Sequence, residues 1–124
     1  MANPRTENID QIIKKSDLSS KYNIKSGDCS SVAKAIFEVF GGSIMTISSV
    51  PEERFFDHLA VKIDGVLYDG RGRVSWSQIE DEFVPEQSWS GAEKHWFKVN
   101  NIREDSMYEE KIAQDIIRIL KKNM

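Results

Sequence analysis

Two apolar-rich segments joined by an Asp-Gly pair place the strongest constraint on how this chain folds. The segments read HLAVKI (58–63) and VLYDG (66–70), with Asp64 and Gly65 between them. A two-residue Asp-Gly connection favours a type I′ turn, because both central residues of that turn need positive φ. The pattern therefore predicts an antiparallel hairpin, and with it a small antiparallel sheet.

The residues between Asp28 and Gly41 form the clearest predicted helix. Ser26 or Asp28 can cap its start, because a short oxygen-bearing side chain accepts hydrogen bonds from the N–H groups of the first turn. Apolar residues cover more than half of its circumference, and Gly41-Gly42 is typical of a helix end. A helix this apolar is expected to be central and to be covered on several sides.

The remaining patterns complete an α+β prediction, with residues 1–124 as a single domain. Isoleucines at i, i+3 and i+4 indicate a first amphipathic helix, and a capping box formed by Ser106 and Glu109 indicates a last one. The predicted elements are a helix ending near Lys15, a turn-like segment over 16–25, strands over 43–50 and 94–99, a helix over 105–122, and loop across 71–94 with a short helix at 77–83 as an option.

Composition and charge exclude several classes of protein. The 124 residues are 40% hydrophobic and 30% charged, which is typical of a globular domain. The net charge of -3 gives no electrostatic basis for binding nucleic acid, so no nucleic-acid partner is predicted. No apolar run reaches the length of about 18 residues that a membrane span needs, so no membrane partner is predicted. The first residues lack an apolar signal region, and we expect a cytoplasmic location or delivery without an N-terminal signal peptide.

The single cysteine stands at the predicted start of the central helix. Partial positive charge and free N–H groups at a helix N-terminus favour a thiolate at Cys29 and can hold an oxyanion. One cysteine allows no internal disulfide, and with two histidines it makes no Cys-rich zinc site. Metal-ligand spacings and phosphate-binding glycine loops are absent from the sequence, so we predict no metal and no cofactor.

The hairpin supplies a base for this thiol. Side chains alternate along a strand, so His58 and Asp69 share one face and lie diagonally on neighbouring strands. A carboxylate that accepts from one ring nitrogen of His58 would fix the imidazole and leave the other nitrogen for Cys29. A register slip of one residue would separate the pair. His95 is the second candidate base, because no carboxylate is predicted beside it.

The order of these residues resembles that of the papain-like and transglutaminase-like thiol enzymes. The matching pieces are GDCSSVAKAIFEVF and HLAVKIDGVLYDGRG, and the likeness covers about 23–71. It implies a papain-like core with Cys29 as nucleophile, His58 as base and Asp69 as the residue that orients the base. Asn23, before the cysteine, is a candidate for holding the oxyanion.

The resemblance predicts a small hydrolase or acyl-transfer enzyme that acts on an amide, isopeptide or thioester carbonyl. Cysteine peptidases, deamidases and transglutaminase-like acyl transferases are the corresponding classes, and a protein or peptide is the expected substrate. The sequence does not choose between hydrolysis, deamidation and transfer.

Other interpretations of the same residues stay open. Cys29 can pack as a small apolar residue, and Asp69 can serve a turn. Arg71 can clamp a carboxylate or phosphate of a substrate, or it can pair with the acids at Glu80 to Glu82.

A protein-binding module is the alternative prediction. Trp76 and Trp89 fall in segments that read as loop, and exposed tryptophans often line a cleft or a partner surface. Together with the acidic residues at 80–86 they would let an inhibitor or adaptor with a degenerate papain-like fold grip a protein partner.

Overall fold

A five-stranded antiparallel sheet organises the chain in a computed structural model that describes residues 4–24, 28–48, 58–83, 95–99 and 110–124. The strand order is β4-β3-β2-β1-β5, and every neighbouring pair is antiparallel. The predicted α+β class is confirmed. The strands are β1 (Ser43–Ser48), β2 (His58–Ile63), β3 (Val66–Asp69), β4 (Gly72–Val74) and β5 (His95–Val99), and the helices are α1 (Pro4–Ser16), α2 (Leu18–Lys21), α3 (Cys29–Phe40), α4 (Trp76–Phe83) and α5 (Glu110–Lys122).

The hairpin of β2 and β3 has the predicted register. Val61 lies opposite Tyr68, and Asp64 and Gly65 make the turn with φ angles of 52° and 81°. Two positive φ values are what a type I′ turn requires. Because the register is the predicted one, the first residue of β2 and the last residue of β3 point to the same face of the sheet.

Helices cover both faces of the sheet. The central helix α3, flanked by α1 and α5, packs on the face that carries Leu59, Val61 and Tyr68, which we call the α3 face. The opposite face carries Ala60 and Leu67 and is covered by α4, and we call it the α4 face. On the α3 face the fully buried residues include Ile13, Leu18, Ile36, Val61, Tyr68, Ile116 and Leu120, and on the α4 face they include Ile47, Leu67 and Ile79.

Two short elements were not predicted. The loop expected across 71–94 contains β4, and the turn-like segment expected over 16–25 contains α2. Each is four residues or fewer and depends on distant contacts. The backbone N–H of Arg73 in β4 donates to Asp10 of α1 at 2.7 Å, and Leu18 in α2 is completely buried.

The ends of α3 follow the predicted signals only in part. Gly41 closes the helix, and its N–H donates to the carbonyl of Phe37 at 2.8 Å. Asp28 occupies the N-cap position, but its carboxylate accepts from the backbone N–H of Asn23 instead of from the helix. The other cap candidate, Ser26, and the capping box of Ser106 and Glu109 lie outside the described residues.

The helices are also short. Within the described ranges, none combines the length and the apolar character needed to cross a membrane.

We predict that Gly42→Ala destabilises the fold more than Gly65→Ala. Both glycines have positive φ, so alanine is strained at either site. A Cβ at Gly42 would also collide with the carbonyl oxygen of Lys62 and lie 2.7 Å from Cγ1 of Ile63, whereas Gly65 faces open space. The extra loss at Gly42 should be about 1–3 kcal/mol in the free energy of unfolding, measured by urea denaturation. Equal losses at the two sites would contradict the close approach of the α3–β1 connection to β2.

Candidate functional site

His58 and Asp69 form a buried pair on the α4 face. Nε2 of His58 lies 3.1 Å from Oδ2 of Asp69, and the two residues are 1% and 2% exposed. The β2–β3 register brings them together, because they end neighbouring strands on the same face. The structure therefore contains the imidazole–carboxylate contact that the hairpin pattern predicts.

Arg71, in the turn after β3, also contacts the carboxylate of Asp69. Its backbone N–H donates to Oδ1 of Asp69 at 2.9 Å, and its terminal NH2 nitrogen lies 2.7 Å from Oδ2. Its other terminal nitrogen reaches both carboxylate oxygens of Glu82 on α4, at 2.9 and 2.8 Å. The sequence left two roles open for Arg71: binding a carboxylate or phosphate of a substrate, or pairing with acids of its own chain. In the structure the guanidinium pairs with Asp69 and Glu82.

The carboxylate of Asp69 is held in its ionised form. Burial alone would raise the pKa of Asp69, but hydrogen bonds from His58 and Arg71 and the positive charge of Arg71 hold the pKa below its usual value. An ionised carboxylate only accepts hydrogen bonds, so Nε2 of His58 carries the proton that it donates. In the neutral ring, the lone pair then lies on Nδ1.

The other ring nitrogen of His58, Nδ1, is buried and makes no hydrogen bond to a described residue. The ring itself stacks on Phe83 of α4, with the centroids 4.1 Å apart and the planes 4° from parallel. His58 is thus oriented by a carboxylate at one nitrogen and by an aromatic ring on one side, while its other nitrogen makes no hydrogen bond to any described residue. The sequence carries no signal for the contact with Phe83, because that contact depends on how α4 docks.

Cys29 is the first residue of α3 and is 4% exposed. Burial raises the pKa of the Cys29 thiol, and backbone N–H groups at the start of α3 oppose that rise only in part. Cys29 belongs to the buried cluster of the α3 face, which also contains Leu59, the residue that follows His58. Because the net effect is a raised pKa, the thiol is neutral in this arrangement.

The thiol and the imidazole approach the start of β2 from different faces. Leu59 packs among the residues of the α3 face, whereas His58 projects to the α4 face and stacks on Phe83. No hydrogen bond joins Cys29 to His58: Nε2 is used by Asp69, and Nδ1 has no partner in the described part of the chain. The structure places the two residues on opposite faces of the sheet without joining the sulfur to the ring.

Two other buried polar atoms belong to residues that neighbour Cys29 in the chain or Leu59 in the sheet. Ser30 Oγ and Thr46 Oγ1 have no hydrogen-bond partner among the described residues. Ser30 follows Cys29 in the chain, and Thr46 of β1 pairs with Leu59 of β2. The sequence gives no signal for these two buried hydroxyls, because buried Ser and Thr residues follow no distinctive pattern.

Two weaker site candidates, Asn23 and Trp76, lie within the described residues. Asn23 is exposed, and its backbone makes two hydrogen bonds with Asp28: the N–H donates to the carboxylate of Asp28, and the carbonyl accepts from the Asp28 N–H. Trp76 is not in a loop: it begins α4 and packs edge-on against Trp96, with the ring centroids 4.8 Å apart. This correction follows from the packing of the α4 face, in which both tryptophans are partly buried.

The other residues considered from the sequence cannot be placed in the site. Trp89 lies outside the described residues. His95 belongs to β5 opposite Ser48, but its side chain is outside the described part of the structure. In the described ranges, no group of three or more His, Cys, Asp or Glu side chains is arranged to hold a metal ion.

Comparison of the chain with protein-family models, with curated proteins and with solved structures gives no match. The likeness to papain-like and transglutaminase-like enzymes therefore stays a prediction. The functional proposal depends on the geometry of the described residues.

We predict that Asp69→Asn lowers the free energy of unfolding by about 3 kcal/mol near neutral pH, because it removes one member of a buried charged pair. The pKa of Asp69 is lower in the folded chain than in the unfolded chain, so its ionised form adds stability above about pH 4. That contribution is lost as the pH falls through the folded value. The stability difference between wild type and variant should therefore shrink on acidification, as followed by urea denaturation across a pH series.

Asp81→Asn is the matched control, because Asp81 is exposed on α4. Its difference from wild type should be small at every pH. A difference at Asp69 that stays constant from neutral to acidic pH would contradict the assignment of an ionised, buried carboxylate.

Proposed function

We propose that this protein is a cysteine-dependent hydrolase or acyl-transfer enzyme, with Cys29 as nucleophile, His58 as general base and Asp69 as the residue that orients the base. One observation carries the proposal. His58 is fixed through Nε2 to an ionised Asp69 while its buried Nδ1 has no hydrogen-bond partner among the described residues, and the next residue, Leu59, packs in the same buried cluster as Cys29.

General-base catalysis suits a thiol of this kind. Because burial raises the pKa of Cys29, the sulfur is protonated at rest and must lose its proton as it attacks. Nδ1 takes that proton while a bond forms between the sulfur and the carbonyl carbon, and the carbonyl electron pair moves onto oxygen. When the tetrahedral intermediate collapses, the imidazolium returns the proton to the leaving amine or thiolate, and an acyl thioester remains on Cys29.

The second half of the reaction decides the class of enzyme. Water attacking the acyl thioester completes a hydrolysis or a deamidation, and an amine completes a transfer. Each time, His58 takes the proton of the attacking group, the C–S bond breaks, and the imidazolium returns the proton to the sulfur of Cys29. No cofactor is required in either half. The first-turn N–H groups of α3, including those of Cys29 and Ser30, are suited to hold the oxyanion, because they carry the positive end of the helix dipole.

The reaction requires a rearrangement at the start of β2. The sulfur of Cys29 lies on the α3 face and the ring of His58 lies under Phe83 on the α4 face. A movement of the start of α3 relative to β2 has to bring the sulfur within hydrogen-bond distance of Nδ1 while the contact between Nε2 and Asp69 is kept, and the residues have to become accessible to a protein or peptide carbonyl. A reducing compartment such as the cytoplasm would keep the single cysteine as a thiol.

A protein-binding module is the second candidate, and a specific observation favours it. Cys29 and His58 are 4% and 1% exposed, as expected of residues that stabilise a core. In that case the His58–Asp69–Arg71 contacts would hold the hairpin to α4, and a partner would bind elsewhere on the surface.

Acylation of Cys29 by an activated ester separates the two functions. The folded protein is incubated with p-nitrophenyl acetate near neutral pH, and acetylation of the Cys29 peptide is followed by mass spectrometry. We predict that His58→Gln slows this acetylation by about 10²–10⁴-fold, because the general base is lost. His95→Gln should leave the rate unchanged, and Cys29→Ser should abolish the thioester adduct.

The outcomes are exclusive. An acetylation rate that is insensitive to both His58 and His95, or no acetylation of Cys29 in the folded protein, would refute the enzyme and support the binding module. A loss of rate in His95→Gln in place of His58→Gln would show that the other histidine is the base.

A further inference from the structure

Arg71 connects the His58–Asp69 pair to α4. We propose that Arg71 is a positioning residue that keeps Asp69 as a hydrogen-bond acceptor, so that His58 carries its proton on Nε2 and its lone pair on Nδ1. The catalytic consequence rests on the proposed function. The position of the proton is a property of the folded protein and can be measured without any activity.

The contacts show that Arg71 determines how the carboxylate is oriented. Its backbone N–H and its Nε reach Oδ1 of Asp69 at 2.9 and 3.2 Å, and Nε and a terminal nitrogen reach Oδ2 at 3.2 and 2.7 Å. His58 contributes one contact, at 3.1 Å. A planar guanidinium matches both oxygens of a carboxylate, so it sets the plane as well as the charge of its partner.

The charge of Arg71 decides whether Asp69 accepts or donates. Asp69 is buried, and burial favours the neutral carboxylic acid unless a positive group faces it. A neutral carboxylic acid donates its O–H, and the acceptor within reach is Nε2 of His58. The neutral ring would then carry its proton on Nδ1 and could not take the proton of Cys29. Loss of the Arg71 charge is thus expected to invert the tautomer of His58.

Glu82 holds the guanidinium in place from the other side. It accepts from the second terminal nitrogen of Arg71 through both carboxylate oxygens, and it precedes Phe83, which stacks on His58. Consecutive residues of α4 therefore contact Arg71 and the imidazole. The charged and titratable groups in these contacts around Asp69 are His58 from β2, Arg71 from the turn, and Glu82 through Arg71.

Nitrogen NMR of the histidine ring tests the positioning role. The chemical shifts of Nδ1 and Nε2 distinguish a protonated from an unprotonated ring nitrogen, and they are measured near neutral pH. We expect a protonated Nε2 and an unprotonated Nδ1 in the wild type. Arg71→Met should move the proton to Nδ1, and Arg71→Lys, which retains the charge, should restore the wild-type pattern.

Arg73→Met is the matched control. Arg73 lies two residues further on and is exposed, and its backbone N–H donates to Asp10. The substitution removes the same charge as Arg71→Met, but among the described residues the Arg73 side chain makes no hydrogen bond to Asp69. It should leave the tautomer of His58 unchanged. If the methionine variant at position 71 does not fold, Arg71→Gln removes the charge while keeping a hydrogen-bond donor, and the same inversion is expected.

An unchanged Nε2–H tautomer in folded Arg71→Met or Arg71→Gln would overturn the positioning role. In the acetylation experiment, Arg71→Met should slow the modification of Cys29 by about 10–100-fold, the range found for residues that act through another, and Arg71→Lys should recover most of it. An inverted tautomer together with no acetylation of Cys29 in the wild type would support the positioning role and refute the proposed function.

Discussion

The candidate site depends on one buried carboxylate. Asp69 ends β3, accepts from His58 at the start of β2, and is enclosed by the guanidinium of Arg71, which also reaches Glu82 on α4. A buried charge is costly unless its partners satisfy it, so the hairpin, the following turn and α4 adopt an arrangement that supplies those partners. The same contacts give His58 a defined orientation and place the lone pair of its neutral ring on Nδ1.

Local sequence signals were sufficient for the part of the site that lies within one hairpin. Asp64 and Gly65 specify the turn, the turn specifies the register, and the register puts His58 beside Asp69. The helix of Cys29 was also predictable, because its apolar residues and Gly41 indicate its body and its end. The strand β4 was not, since three residues form a strand here only with support from Asp10 of a distant helix.

The relation between the thiol and the imidazole could not be predicted in the same way. Alternation assigns His58 and Leu59 to opposite faces of β2, but both faces of the hairpin are apolar enough to be covered, so the sequence does not show which face receives α3. The structure places α3 against Leu59 and α4 against His58. As a result, the sulfur of Cys29 and the ring of His58 lie on opposite faces of the sheet and share no hydrogen bond. This is the reason that the proposed chemistry includes a rearrangement.

Alkylation of Cys29 by iodoacetamide is the most direct test that the thiol and the imidazole act together, because it needs no substrate. The rate is measured on folded wild type and His58→Ala near neutral pH, with both proteins also alkylated in denaturant to establish the intrinsic rate. The account predicts that the folded variant reacts more slowly than the folded wild type, although the two denatured chains react alike. Equal rates in the folded proteins, or a faster rate in the variant, would show that His58 does not serve the sulfur and would contradict the assignment of a thiol enzyme.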